Sequence, residues 1–450
     1  LRPHQRDGIV WLCRGIGGEL VEGHGAVLAD VPGLGKSAQI IGTLLASSSW
    51  VKKLLIVCPV SLVDNWIAEF QKWAPEVQVG SEQNAAAALP LALTPPPSPS
   101  NLQTQPPYER MRGDAQKLLS RANINLIVCD EAHRLKNSTT QYARSRRACH
   151  TAPVTGTPVQ NNAGEFWAMT NLALPGVLGS LWQFKSKYEM PMACGQMDNV
   201  LLRQLQRDTN SFVLRRGEDI LRQWLPRRRE LLVFCKITAT QRELYVDEIA
   251  QWSSTRLDGA RPSAHSLVLL HKLQKIIAHP CLVTSGRGAD EPNIDLMLSG
   301  KLIVTRSLLR AIHAQTDEKV LLTSNNCYTL DLLQRLARAN RWPYLRVDGK
   351  VNGTKRQELI DEFNSSPRSS HFLFLLSAKA GGAGLNITGA SRLIIFEPAW
   401  NPAVDAQVCG RIWRLGQERE VSVFKLFGTS TVDELIVQRQ MSKTEISDMI

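Results

Sequence analysis

The chain has 450 residues, enough for roughly three domains at about 150 residues each. Hydrophobic residues make up 43% and charged residues 21%, which excludes a mainly disordered chain, a collagen-like chain and a coiled-coil rod. Lys and Arg number 53 against 41 Asp and Glu, a net charge of +12 that favours an anionic partner such as nucleic acid. No apolar run reaches about 18 residues, so no transmembrane helix is read, and no signal peptide opens the chain. A start at Leu1 rather than Met reads as a fragment or a trimmed core. The nine cysteines are scattered without a C-x-x-C pair, and Cys58, Cys129 and Cys235 sit in apolar runs. That usage predicts a reduced intracellular chain, not a disulfide scaffold or a zinc module.

Short apolar strands alternate with helical stretches from the start. Gly25–Ala29, Leu54–Cys58 and Asn125–Cys129 are predicted strands, and Ile40, Ile41, Leu44 and Leu45 fall at helical spacing between the first two. Continuous apolar strands alternating with helices imply a parallel α/β sheet. The stretch Ala85–Pro107, rich in Ala and Pro, is predicted to be a surface loop. From about 165 to 300 strand signals are sparse and helical patterning dominates. The strand grammar then restarts with Lys319–Ser324, Pro343–Val347, Phe372–Ser377, Arg392–Phe396 and Val421–Phe427, and Thr431 with Glu434 opens a last helix as a capping box. The expected layout is a first α/β lobe over 1–164, helical insertions and a hinge over 165–300, and a second α/β lobe with a C-terminal helix over 301–450.

Asp30-Val31-Pro32-Gly33-Leu34-Gly35-Lys36-Ser37 follows a strand and opens a helix, as a phosphate loop does. Gly33 and Gly35 let backbone N–H groups close around phosphate oxygens, and the helix N-terminus adds positive potential. Lys36 is expected to reach the β- and γ-phosphates and the Ser37 hydroxyl to hold Mg²⁺. Asp130-Glu131-Ala132-His133 closes the third strand, where parallel sheets place ligand chemistry. Asp130 is expected to bind Mg²⁺ and Glu131 to act as general base on the attacking water. Thr155-Gly156-Thr157-Pro158 lies at the next strand end, where small hydroxyls can bond to the acidic pair. Arg411 and Arg414, three apart, are expected on one helix face as arginine fingers that stabilise transition-state charge from the second lobe.

These motifs in this order resemble the helicase-like motors of superfamily two, and longer strings resemble the SWI/SNF-type ATPases. Leu1-Arg2-Pro3-His4-Gln5 with Gly8 and Trp11-Leu12 is similar to the family's opening motif. Arg134-Leu135-Lys136-Asn137 extends the acidic motif, Ser377–Asn386 is similar to the fifth motif, and Gln407 to Gln417 to the sixth. Arg215-Arg216, Leu225-Pro226 and Gln438–Lys443 look most like the branch serving homologous-recombination repair. The resemblance implies two RecA-like parallel-sheet lobes with helical insertions between them, and an ATP- and Mg²⁺-dependent translocase on double-stranded DNA in the nucleus. It implies that Gln5 reads the adenine and places Asp30 and Gly384 among the nucleotide-binding residues. Ser61, Asn65, Lys136, Asn137, Thr155, Thr157, Ser377, Lys379 and Gln407 become candidates for DNA contact or coupling. A recombinase filament or a nucleosome is a possible partner, and no membrane is.

Four departures from the family stand out. Val31, Pro32 and Ser37 replace Glu, Met and Thr in the phosphate loop, and Pro32 removes a backbone N–H. Between Trp73 and Asn123 the family's additional strand and the DNA-contact motif after it are not found. Pro153 sits in a strand, where it cannot donate. Glu397 stands where the branch usually has Asp. The alternative reading is a degenerate motor that grips DNA or a partner without hydrolysis. A small-molecule kinase fits the phosphate loop alone and leaves Arg411 and Arg414 unexplained. The basic runs Arg215-Arg216 and Arg227–Arg229 read as DNA contacts, lobe coupling or solvated charge.

Overall fold

A computed structural model describes residues 1–21, 23–51, 53–59, 62–79, 88–92, 124–132, 150–156, 163–189, 199–254, 264–284, 294–378 and 385–449. They form two compact units, one chiefly Leu1–Trp224, the other Leu225–Gly381 with Leu385–Lys443. The segment 165–300, expected as helical insertions, is therefore divided between the units and gives a strand to each.

The first unit holds β1 (Val27–Leu28), β2 (Lys53–Val57), β3 (Gln78–Val79), β4 (Ala88–Ala92), β5 (Leu126–Asp130), β6 (His150–Val154) and β7 (Val213–Leu214), in the order β3-β4-β2-β5-β6-β1-β7. All run parallel except β4, which pairs antiparallel with β2 and β3. Two expectations are corrected here. The interval between Trp73 and Asn123 does contain strands, β3 and β4, and β4 lies inside the stretch expected to be a loop. β4 is Ala88-Leu89-Pro90-Leu91-Ala92, a short run read as loop because it carries a proline at its centre, which stands opposite Leu55 of β2.

The strands alternate between two cores, which explains their continuous apolarity. Val27, Ala29, Ile127 and Cys129 pack on one face with Phe166, Met169 and Leu172 of α4 (Ala163–Ala173) and Leu205 of α5 (Asn199–Thr209). Ala26, Leu28, Leu126 and Val128 pack on the other. There they meet Leu12 of α1 (Pro3–Gly17), Ile40 and Leu44 of α2 (Lys36–Ala46), and Trp66 and Phe70 of α3 (Val63–Trp73). With period 2 and both faces buried, every position must be apolar. Pro153 is internal to this sheet, opposite Cys129. Thr151 N donates to His24 O at 3.4 Å and Thr155 N to Leu28 O at 3.0 Å, and Pro153 occupies the step between them. Pro153→Val supplies that N–H. A net hydrogen bond of about 1 kcal/mol should raise the thermal midpoint by roughly 2 °C. A fall on differential scanning calorimetry would show that the proline is tolerated for its shape.

The second unit holds β8 (Arg228–Cys235), β9 (Val320–Ser324), β10 (Tyr344–Val347), β11 (Leu373–Ser377), β12 (Arg392–Ile395) and β13 (Val421–Gly428). All are parallel in the order β10-β11-β9-β12-β13-β8. Its longer helices are α6 (Ala239–Ser254), α7 (Ala264–Ala278), α8 (Gly300–Gln315), α9 (Cys327–Ala339), α10 (Gly353–Ser365), α11 (Pro402–Ile412) and α12 (Val432–Met449). Side-chain caps start four of them. Ser299, Asn326, Asn352 and Asn401 accept from Leu302 N, Tyr328 N, Lys355 N and Ala403 N. Among the described residues no helix is long and apolar enough to cross a membrane.

Candidate active site

Three segments leave one edge of the first sheet side by side. Asp130 stands opposite Val154, and Val154 opposite Leu28, so the loops after β1, β5 and β6 emerge together. After β1 the chain turns through Gly33 and Gly35, whose φ angles of 98° and 76° lie in the left-handed region that favours glycine. A Cβ on Gly35 would also stand 2.3 Å from Gln5 Nε2. α2 begins at Lys36, with Ser37 in its first turn, so its unpaired N–H groups face the loop. Lys36 Nζ donates to Asp30 O at 2.9 Å and to Val31 O at 3.4 Å. A Cβ on Gly156 would lie 3.1 Å from Pro32 Cγ and 3.5 Å from Lys36 Nζ, so the Thr155-Gly156 turn approaches the phosphate loop closely. Thr155 is buried at that strand end.

Asp130 is held from two sides. Trp66 Nε1 donates to its Oδ2 and Glu131 N to its Oδ1, both at 2.9 Å. Burial pushes the Asp130 carboxyl up, and the Trp66 bond, the Lys36 charge and the Glu131 N–H oppose that rise. Glu131 has φ 52°, a left-handed conformation that costs a non-glycine residue on the order of 1 kcal/mol or more. Among the described residues no cluster of three or more His, Cys, Asp or Glu side chains could hold a metal. The donor set Ser37 plus Asp130 fits Mg²⁺, which takes one or two protein oxygens and completes its shell with phosphates and water.

Asp30 plays a different part from the one expected. Its carboxylate is fully buried and bound by Arg216 and by Gln39 Nε2 at 3.1 Å, so it braces the loop instead of facing a ligand. Arg216, read from sequence as DNA contact, lobe coupling or solvated charge, is thus a half-buried residue that binds Asp30. Gln39 and Trp66 were missed as well. Gln5 is buried beside the loop, its Nε2 donating to Leu34 O at 3.4 Å. His4 Nε2 lies 3.2 Å from the same carbonyl, and burial lowers its pKa. Asn65 is half-buried on α3. Ser61, Lys136, Asn137, Thr157, Lys379 and Gly384 lie outside the described residues.

In the second unit Ser377 is buried at the end of β11, and Gln407 is half-buried on α11. Arg411 is buried in the last turn of α11, and burial, helped by the Arg356 charge, pushes its guanidinium down to about 10. The expected pairing of Arg411 and Arg414 on one helix face is corrected. The helix ends at Ile412, Trp413 leaves helical geometry at φ −98°, ψ 83°, and Arg414 lies beyond it, donating to Leu385 O at 3.3 Å. Trp413 ends the helix because its indole is anchored elsewhere. Nε1 donates to Pro226 O at 2.8 Å, and the Arg228 guanidinium lies 4.6 Å from the ring. Glu397, longer than the usual Asp, accepts from Ser324 Oγ, Asn325 N and Thr329 Oγ1 and so ties β12 to the end of β9.

Asp405 near the start of α11 accepts from Gln440 Nε2 at 2.8 Å, and burial pushes its carboxyl up to about 6. A raised folded-state value means its stabilising contribution is complete below the unfolded value and is lost as pH rises through about 6. Asp405→Asn should therefore gain thermal stability relative to the parent between pH 5 and pH 8. A constant difference across that range would place no titration at Asp405.

A glycine-rich turn feeding a helix that starts with a lysine, with an acidic pair at the end of a strand of the same sheet, is the arrangement of a phosphate-binding parallel α/β unit. Residues 4–282 match the SNF2-related domain and residues 300–416 the helicase conserved C-terminal domain. The chain belongs to the SNF2-related family. It is 36% identical over 505 aligned positions to the DNA repair protein rhp54 of Schizosaccharomyces pombe, covering 100% of this chain and 58% of that protein. It is 34% identical to the DNA repair and recombination protein RAD54-like of Gallus gallus, covering 100% of this chain and 67% of that protein. The chain thus spans between about half and two thirds of the length of such relatives. An alignment of 505 positions for 450 residues means that rhp54 carries segments this chain lacks. The SWI2/SNF2 ATPase core of Sulfolobus solfataricus in complex with dsDNA is 27% identical, with a TM-score of 0.45 over 100% of this chain and 93% of that one.

Proposed function

We propose that this chain is the motor core of a DNA-dependent ATPase that translocates on duplex DNA in recombination repair. The observation that carries the reading is Lys36 at the start of α2, with its charge acting on Asp130 at the end of β5, two strands across from β1, and Glu131 one residue on. Lys36 and the loop amides bind the β- and γ-phosphates, and Ser37 with Asp130 holds Mg²⁺, which supplies charge neutralisation there. Glu131 takes the proton of the attacking water. Gln5 contacts the base, and Arg411 and Arg414 stabilise charge on the transferred phosphoryl group.

Asn65, Thr155, Ser377 and Gln407 are assigned to DNA contact or coupling, with Ser61, Lys136, Asn137, Thr157 and Lys379. Contacts of this kind meet phosphates, so binding should show little sequence preference and weaken steeply with salt. A recombinase filament or a nucleosome is the larger substrate this reading suggests, in the nucleus. The names of the relatives, which are repair and recombination proteins, support that choice. The test is ATP hydrolysis with and without duplex DNA. Strong stimulation is the expected result. A folded chain that binds DNA and hydrolyses nothing would make it a degenerate binding module.

A further inference from the structure

Arg216 joins three segments of the first unit, and none of the roles above uses it. It follows β7, and its carbonyl accepts from Val31 N at 3.2 Å. Its guanidinium grips Asp30 with two nitrogens, Nε on Oδ1 at 2.9 Å and Nη2 on Oδ2. Nη2 also donates to Gln39 Oε1 at 2.7 Å, and Nη1 donates to His4 O. One planar fork therefore holds the phosphate loop, the first turns of α2 and the opening turn of α1. A second tie runs through the loop itself. Leu34 O accepts from Gln39 Nε2 and Gln5 Nε2, and His4 Nε2 is 3.2 Å away. Gly8 belongs to the same arrangement. A Cβ there would stand 1.9 Å from Gln39 Oε1 and 2.8 Å from Arg216 Nη2, so α1 keeps a glycine despite its poor helix propensity.

We infer that Arg216 is a positioning residue that fixes the separation of Gln5 from the phosphate loop and thereby sets the preference for ATP over other nucleoside triphosphates. The inference rests on the proposed reading of the site as an ATPase. Lysine keeps the charge beside Asp30 but lacks the fork, so Arg216→Lys cannot hold Asp30 and His4 O together. A loosened α1 costs the base-reading turn its register, while the loop stays braced by Gln39.

The test compares ATP with GTP hydrolysis in saturating duplex DNA, and ADP with GDP binding by calorimetry, for the parent and Arg216→Lys. The ATP-to-GTP ratio of kcat/KM should fall about tenfold, with KM for ATP rising more than kcat falls. The ADP-to-GDP affinity ratio should fall with it. An equal loss for both nucleotides, or unchanged ratios, would overturn the inference and leave Arg216 a structural cross-link. Should Arg216→Lys not fold, Gly8→Ala presses α1 away from the same guanidinium and should lower the same ratios. If the parent hydrolyses neither nucleotide, the motor reading fails, and the ADP-to-GDP ratio still decides the role of Arg216.

Discussion

Glu131→Gln is expected to lower DNA-stimulated ATP turnover by about a hundredfold or more while ATP still binds. The amide matches the carboxylate in size and keeps an acceptor oxygen, but it cannot take a proton from water. Glu131 is a good candidate because its backbone is held in a left-handed conformation directly after Asp130, which Trp66 fixes. An unfavourable backbone angle retained at a strand end is the kind of feature that clusters at working sites. Single-turnover hydrolysis beside nucleotide-binding calorimetry separates the two effects. Turnover at the parental rate would place the general base elsewhere. Lys36→Ala should abolish turnover too, but by weakening phosphate contact, so its binding signal should fall where that of Glu131→Gln does not.

The largest effect on stability is expected at Lys301 in the second unit. Lys301 Nζ lies 2.6 Å from Asp433 Oδ2, and each side chain is 2% exposed. Nζ also donates to Phe396 O at 3.1 Å, and Asp433 Oδ2 accepts from Gly428 N at 3.0 Å. The pair thus joins the start of α8, the end of β12 and the first turn of α12. Lys301→Met leaves a carboxylate buried without its counter-charge and should cost about 3–5 kcal/mol. The double variant Lys301→Met with Asp433→Leu removes both charges and should recover most of that loss. Denaturant unfolding of the single and double variants measures the coupling. A double variant as unstable as the single one would mean that the polar contacts to Phe396 O and Gly428 N, not the charge pair, hold these elements together.

The parts of the fold that were legible in sequence share one physical trait. Strands β1, β5, β9 and β11 are buried along almost their whole length, so their runs of apolar residues stand out. β8 was read only in part, as an apolar run around Cys235 that looks like a buried strand; it begins Arg228-Arg229-Glu230 and lies at the sheet edge, where Leu231, Leu232 and Phe234 remain exposed. β7 has two residues, too few for any period. The phosphate loop and acidic pair were legible because their chemistry is local and their residue types are few. Arg216 was not, because its meaning depends on Asp30, 186 residues away in the chain. Side by side, Arg215-Arg216 looks like solvated charge, and only folding brings Arg216 onto the buried Asp30 carboxylate. The placement of Arg414 failed for a related reason. Helical spacing carries no sign of where a helix stops, and here the stop is set by the Trp413 indole reaching Pro226.

Gly8, Gln39 and Arg216 meet at one point, so a change at any one of them in this chain is felt by the other two. A methyl group at position 8 has nowhere to go while Gln39 is long and Arg216 is extended. Shortening Gln39 first opens the space but takes a partner from both Asp30 and the guanidinium. Replacing Arg216 first leaves Asp30 buried with a weaker counter-charge. Substitutions at these three positions should therefore be non-additive. A designer grafting this site onto another scaffold, or restoring a relative's residues here, should move the three positions together.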